Sequence, residues 1–303
     1  MTTRHLVSIA DLSPSEVQVL LRRAVELKAD PRGGRPLDRR VLAMVFEKPS
    51  LRTRVSFETG MVQLGGHAIY LAPADIQLGA RETIHDAAKN LSRLADAILA
   101  RTFAHATVEQ LAAAASVPVI NGLSDREHPC QALADFLTID EHKGLASNPV
   151  LAFVGDGNNV AHSLMLLGRL CGIEVRVACP PGYEPLADIV AACPNTRVEH
   201  DPRAAVRGAD VVYTDVWASM GQEDSAAERR EAFAGYQVNA ALMAEAAPGA
   251  IFMHCLPAHR GEEVTDEVAD SAASVIFDQA ENRLHAQKAL LVELLAPPPA
   301  PAR

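Results

Sequence analysis

V-L-A-M-V-F-E-K-P-S-L-R-T-R, residues 41–54, runs from an unbroken apolar stretch into a polar turn and then into a segment of helical periodicity spanning 50–64. A continuous apolar run reads as a strand buried on both faces, and a strand leading directly into a helix is half of a parallel β-α-β unit. The same alternation extends outward. Strand-like runs lie at 67–71, 97–100 and 118–121, with helical periodicity at 82–94 and 108–115 between them, and Pro129–Lys143 is a long helix opening on proline. After the loop-forming segment G-L-A-S-N-P at 144–149 the pattern starts again. Strands are expected at 150–154, 175–178, 211–215 and 251–255, with a last short one at 275–277. Helices are expected at 160–171 and 185–192, with a long final helix over 279–295. The expected fold class is α/β: two doubly wound parallel-sheet domains with bridging helices. Ligands in such folds sit beyond the C-terminal ends of strands, so the residues directly after each strand carry most of the information. Two domains also offer a cleft between them.

Composition sets the limits. The chain has 303 residues, enough for two ordinary domains, with 49% hydrophobic and 22% charged residues, which excludes general disorder. Its formal net charge of −10 disfavours nucleic acid and membrane surfaces as partners, so any anionic ligand needs a local basic pocket. Five cysteines with no C-x-x-C pair argue against a disulfide framework or zinc ribbon and for a reducing compartment. The N-terminal residues lack a signal-peptide core, and no run of about 18 apolar residues occurs. A soluble cytoplasmic protein is expected.

Five strand-end motifs carry chemistry. F-E-K-P-S-L-R-T-R (46–54) puts Ser50, Arg52, Thr53 and free backbone N–H groups at a helix start, which suits an anion; a plain serine cap followed by solvated arginines is the alternative. H-P-C-Q (128–131) sets His128 and Gln131 one helical turn apart, with Cys130 read as a small buried hydrophobe. G-D-G-N-N-V-A-H (155–162) has the context of a dinucleotide fingerprint but carries Val160 where the third glycine belongs; its asparagines equally suit a carboxylate. D-V-W-A-S-M-G-Q-E (215–223) offers a carboxylate to an ammonium group and a loop of small residues. H-C-L-P-A-H-R (254–260) invites a metal, but strand alternation would send His254 and Cys255 to opposite faces, so no metal is expected there. A thiol in that position reads either as a reactive group or as an inert buried one.

Taken in order, S-x-R-T-R, Arg101, H-P-C-Q, N-N-x-x-H, D-x-x-x-S-M-G, H-C-L-P and E-N-R-L-H resemble the aspartate/ornithine transcarbamylase family from about residue 6 to residue 295, and S-M-G with H-C-L-P look like its ornithine branch. The resemblance implies transfer of the carbamoyl group of carbamoyl phosphate to the δ-amine of L-ornithine, with no cofactor. It implies a carbamoyl-phosphate-binding domain over 1–145, with helix 284–296 packing back on it, and an ornithine-binding domain over 150–283. It also implies a homotrimer, or a multiple of trimers, with inter-subunit active sites. By position, Ser50, Leu51, Arg52 and Thr53 resemble the phosphate-binding turn, and Gln77 the residue that reaches over from a neighbouring subunit. Arg101, His128 and Gln131 resemble the group around the carbamoyl moiety. Asn159, Asp215, Ser219 and Met220 look like ornithine contacts, and Cys255, Leu256 and Arg283 line the place where the substrates meet. Catalysis is expected of Cys255, Asp215, Arg101 and His128. Leu51 departs from the family's usual threonine, which costs one hydroxyl contact, about 0.5–1.5 kcal/mol. The competing readings are a transcarbamylase for putrescine, N-acetylornithine or aspartate, a non-catalytic anion-binding relative, and a nucleotide-binding protein. A free α-ammonium facing Asp215 disfavours the first two amines, and Val160 weakens the last.

Overall fold

The computed structural model describes residues 3–31, 33–218 and 225–296. The chain forms two compact units, one built from residues up to Cys130 and from Arg283 onward, the other from Gln131 to Asn282. Both boundaries fall inside long helices, Pro129–Lys143 and Ile276–Leu295, so the chain passes between units within helices rather than through the 144–149 segment.

The first unit holds β1 (Val41–Phe46), β2 (His67–Leu71), β3 (Ala97–Arg101) and β4 (Val119–Leu123), all parallel in the order β2-β1-β3-β4. The second holds β5 (Leu151–Val154), β6 (Val175–Ala178), β7 (Thr196–Glu199), β8 (Val211–Thr214) and β9 (Ile251–His254), also parallel, in the order β7-β6-β5-β8-β9. The central strands are largely apolar because they are covered on both faces: β3 is buried along its whole length, Arg101 at its end included, as is β5. Each unit winds outward from its first strand and returns to the other side, which puts the reversal between β1 and β3 in one sheet and between β5 and β8 in the other. Register sets the C-terminal ends level there: Phe46 opposite Arg101, Val154 opposite Thr214, and Thr214 opposite His254. The crevice beyond such a reversal is where a doubly wound sheet holds ligands.

Besides short helices such as Pro73–Ile76, Pro202–Val206 and Asp266–Ala269, three elements depart from the sequence expectation. Residues 275–277 form no strand. Ser274 makes one isolated bridge to Phe252, and Val275 already accepts the Gln279 N–H at 2.9 Å, so the long helix starts at Ile276. An apolar triplet with Val275 and Ile276 buried and Phe277 exposed fits a first helical turn as well as a strand. Strand β7, T-R-V-E, was not expected because it lies at the sheet edge, where burial imposes no apolar run. The helix Pro14–Ala29 likewise lay outside the expected set. Its signal is S-P-S-E, a capping box in which Ser13 accepts the Glu16 N–H at 3.3 Å and Glu16 Oε2 accepts the Ser13 N–H at 2.7 Å. Among the described residues no helix is long and apolar enough to cross a membrane.

Candidate active site

In the first unit, chain polarity and β1 deliver Ser50 to the N-cap of the helix Leu51–Gln63, where its hydroxyl accepts the Thr53 N–H at 3.3 Å. Two bonds tie this turn to the end of β3: the Glu47 N–H donates to Arg101 O at 2.8 Å, and Glu47 Oε2 accepts the Phe103 N–H at 2.7 Å. Arg101 itself, the last residue of β3, is only 6% exposed. From the C-terminal helix, Arg283 (2% exposed) donates to the buried Thr53 hydroxyl oxygen at 2.8 Å. Thr53 thereby spends an oxygen lone pair and keeps its O–H as a donor.

His128 sits in the middle of this group. Burial holds its pKa well below the usual histidine value, and the positive charges of Arg283, Arg101 and Arg52 push it further down. The ring is therefore neutral near pH 7, with one N–H to donate, inside a field of guanidinium charge. The neighbouring Cys130 is inert: burial drives its thiol up to about 12, and it donates to Asn121 O at 3.4 Å. The two arginines of S-L-R-T-R divide the work. Arg52 acts on His128, whereas Arg54 pairs with Glu58 at 2.9 Å and lies over the Tyr70 ring at 4.0 Å. Leu51 is 74% exposed.

In the second unit, Asp215 follows β8 directly and is 7% exposed. Its Oδ1 accepts the Cys255 thiol at 3.0 Å and the Val216 N–H at 2.8 Å, and its Oδ2 accepts the Asn158 amide at 2.9 Å. Asn158 is held in turn by capping the helix Asn159–Cys171: its Oδ1 accepts the N–H groups of Val160 and Ala161 at 2.9 and 3.1 Å. Gly157 is needed in this turn because a Cβ there would come within 2.2 Å of Pro185 N.

Cys255 lies just beyond the end of β9, so strand alternation does not reach it. The ligand atoms of Asp215, His254 and Cys255 all fall within 4.8 Å of one another, against the expectation of opposite faces. His254 nonetheless has no lone pair to offer a cation. Its Nδ1 accepts the Leu256 N–H at 2.8 Å, which puts the proton on Nε2, 3.1 Å from the buried Glu263 carboxylate. Leu256 itself takes a left-handed backbone, with φ at 60°.

The sequence also matches two family models: the carbamoyl-phosphate-binding domain of aspartate/ornithine carbamoyltransferase over residues 4–141, and its aspartate/ornithine-binding domain over 148–294. The chain belongs to the aspartate/ornithine carbamoyltransferase family. It is 56% identical over 296 residues to an ornithine carbamoyltransferase of Methylococcus capsulatus, covering 97% of this chain and 99% of that one. It is also 56% identical to an anabolic ornithine carbamoyltransferase of Pseudomonas aeruginosa, covering 97% and 98%. A solved ornithine carbamoyltransferase from Pyrococcus furiosus superposes with a TM-score of 0.93 at 52% identity, covering 97% of each chain.

Of the residues expected at the site of this carbamoyltransferase, Ser50, Arg52, Thr53, Arg101, His128 and Arg283 gather in the first unit, and Asp215 and Cys255 in the second, with Asn159 at the start of the helix behind them. Gln77 stands apart on an exposed turn, ending the short helix Pro73–Ile76 with φ at 43°. Gln131 is buried and donates to Asp135 at 2.8 Å. Ser219 and Met220 lie outside the described residues. Asp156 and Arg229 join this group without a motif that marks them. Arg229 bridges Asp156 Oδ2 at 2.7 Å and Trp217 O at 2.8 Å. Burial raises the Asp156 pKa and Arg229 opposes the rise, while nearby Asp215 adds to it. The E-R-R run at 228–230 reads as surface charge, so only the fold exposes this role.

Proposed function

We propose that the protein transfers the carbamoyl group of carbamoyl phosphate to the δ-amine of L-ornithine, giving L-citrulline and phosphate. The single observation that carries this reading is the neutral His128 ring set among Arg52, Arg101 and Arg283, a local concentration of positive charge in a chain of net charge −10. Such a group suits a doubly charged acyl phosphate whose carbonyl oxygen gains charge on attack. On this reading Arg52 and the N-terminal turn of the Leu51–Gln63 helix hold the phosphate and stabilise it as it leaves. Thr53, Arg101 and His128 donate to the carbonyl oxygen.

The second substrate brings a proton problem. An alkyl amine has a pKa of about 10.4, so only about one in a few thousand is unprotonated at neutral pH. Guanidinium charge near the reacting carbon favours the neutral amine, and the Cys255–Asp215 pair orients it and helps take up its proton. Asp215, already held by Asn158, also offers a carboxylate to the α-ammonium group. Relatives at 55–56% identity that are named ornithine carbamoyltransferases support ornithine over other acceptors.

The reading extends to assembly and location. Leu51, Val55 and Val62 are exposed and fall on one side of their helix, and Ile69 is exposed on the adjoining edge strand β2. An aliphatic stripe of this kind suits burial against further copies of the chain, in a homotrimer or a multiple of trimers, with Gln77 reaching the neighbouring copy's site. All five cysteines are free, which suits a reducing cytoplasm.

A citrulline assay with ornithine, putrescine, N-acetylornithine and aspartate in parallel tests the reaction. Product with ornithine alone is expected; preference for any of the other three, or no carbamoylated product at all, overturns the proposal. Light scattering on the eluting protein tests the assembly, and a monomer at assay concentration rules the trimer out.

A further inference from the structure

The turn at 254–259 carries Cys255, and one buried carboxylate closes its neck. Glu263 Oε1 accepts the His254 Nε2–H at 3.1 Å on one side of the turn and the His259 backbone N–H at 2.5 Å on the other. The fold sets Glu263 there: its backbone oxygen accepts the Val238 N–H at 2.8 Å, and Val238 bridges Val264. His254 is held from its backbone as well, where its N–H donates to Gln279 Oε1 at 2.9 Å. Both side chains of the Glu263–His254 pair are fully buried. A neutral histidine ring carries its proton on either nitrogen, and the hydrogen bond made at one nitrogen sets the state of the other. With Nε2–H committed to Glu263, Nδ1 keeps its lone pair and accepts the Leu256 N–H at 2.8 Å. That bond holds Leu256 in its left-handed backbone, φ 60°, which a residue with a side chain keeps only where its surroundings impose it. Cys255, between the two, is thereby aimed at Asp215 Oδ1, 3.0 Å from its sulfur. Among the described residues Glu263 Oε2 has no hydrogen-bond partner. A buried carboxylate with one oxygen unsatisfied lowers stability, and well-packed apolar groups would serve a purely structural position better. What explains this carboxylate is the work of Oε1.

We propose that Glu263 is a positioning residue for Cys255: it fixes the His254 tautomer that holds the Cys255–Leu256 peptide, and so keeps the thiol against Asp215. This deepens the proposed carbamoyl transfer and rests on it, since there the Cys255–Asp215 pair orients the attacking amine. With the proton on Nδ1 instead, two N–H groups would face each other at Leu256 and the turn would open. Moving the thiol by about 1 Å misplaces the amine, and an error of that size costs about 100-fold in rate.

The experiment measures kcat for citrulline formation and the KM of both substrates in the parental enzyme, in Glu263→Gln, Glu263→Leu and His254→Asn, and in the double variant His254→Asn/Glu263→Leu. No citrulline from the parental enzyme refutes the functional reading, whereas a variant result against expectation refutes this inference alone. Glu263→Gln keeps an oxygen that accepts both N–H groups, so its kcat is expected within about threefold of the parent. Glu263→Leu is expected to lose about 10- to 100-fold in kcat, with the carbamoyl phosphate KM within about twofold. Asparagine needs no tautomer, because its side-chain oxygen accepts the backbone N–H two residues on; on the His254→Asn background Glu263→Leu is therefore expected to cost less than about threefold. A structural role alone lowers the melting temperature and shows no such rescue. A Glu263→Leu enzyme that melts lower yet turns over as the parent does overturns the proposal, as does a loss equally large on the His254→Asn background. If Glu263→Leu shows no cooperative melt, the ring nitrogens of His254 in 15N-labelled parental enzyme supply the answer, with His254→Asn giving the assignment. A protonated Nε2 beside a bare Nδ1 is expected, and a proton on Nδ1 rules the inference out.

Discussion

The Cys255 thiol donates to Asp215 Oδ1 at 3.0 Å, joining the residue after β9 to the residue after β8. Asn158 and the Val216 N–H complete the carboxylate's shell, so the orientation of Asp215 is set before any substrate arrives. Replacing Asp215 by asparagine keeps the shape and removes the charge. A charge-assisted hydrogen bond contributes about 1.5–3 kcal/mol, so Asp215→Asn is expected to raise the ornithine KM by about 10- to 100-fold. The carbamoyl phosphate KM is expected to stay within about twofold of the parent. Steady-state kinetics with each substrate varied in turn makes the measurement, and unchanged ornithine saturation contradicts the assignment.

Arg52 and Arg101 both act on His128 and belong to the same unit. If they stabilise the transferring group, Arg52→Ala or Arg101→Ala should cut turnover by about 10²- to 10³-fold, the scale of removing one transition-state donor. The cooperative thermal transition should persist. Near-parental citrulline formation by either variant removes that arginine from the mechanism.

His128 yields a pH dependence of definite sign. Its folded-state pKa lies well below the ordinary value of 6.5, so below pH 6.5 the unfolded chain binds a proton that the folded chain refuses. The stability this contributes is complete above pH 6.5 and is lost as the pH falls toward the folded pKa. Denaturant titrations at pH 7.5 and 5.5 should therefore show a loss that His128→Asn reduces. Equal losses in parent and variant would show that His128 is not the titrating group.

Arg229 ties Asp156 to the carbonyl oxygen of Trp217, two residues along from Asp215, and offsets a second, largely buried carboxylate. Arg229→Gln leaves Asp156 facing Asp215 without its counter-charge. Breaking a largely buried pair costs on the order of 3 kcal/mol, so a lower melting temperature is expected together with a raised ornithine KM. A variant that melts lower but saturates normally with ornithine would limit Arg229 to stability.

Strand–helix alternation was readable because strands such as Val41–Phe46 and Leu151–Val154 are unbroken apolar runs, and the motifs were readable because they follow strands directly. Arg52 could not be told from Arg54 by position, since only the place of Glu58 and Tyr70 draws Arg54 outward. Asn158 could not be told from Asn159 until the helix start assigned the cap to Asn158. The 275–277 strand failed because one bridge to Phe252 and a helix start leave the same short apolar signature.

The order of residues along the chain determined the two parallel α/β halves, the turns at which chemistry could sit and the family, since all of these are local or sequential properties. The tertiary structure alone decided which side chains share a charge or a proton. Thr53 meets Arg283, Asn158 meets Asp215, and Asp156 meets Arg229 over separations of 230, 57 and 73 residues. Hydrogen bonds and charge interactions act over a few ångströms of space, and sequence distance carries no record of which groups the sheets bring that close.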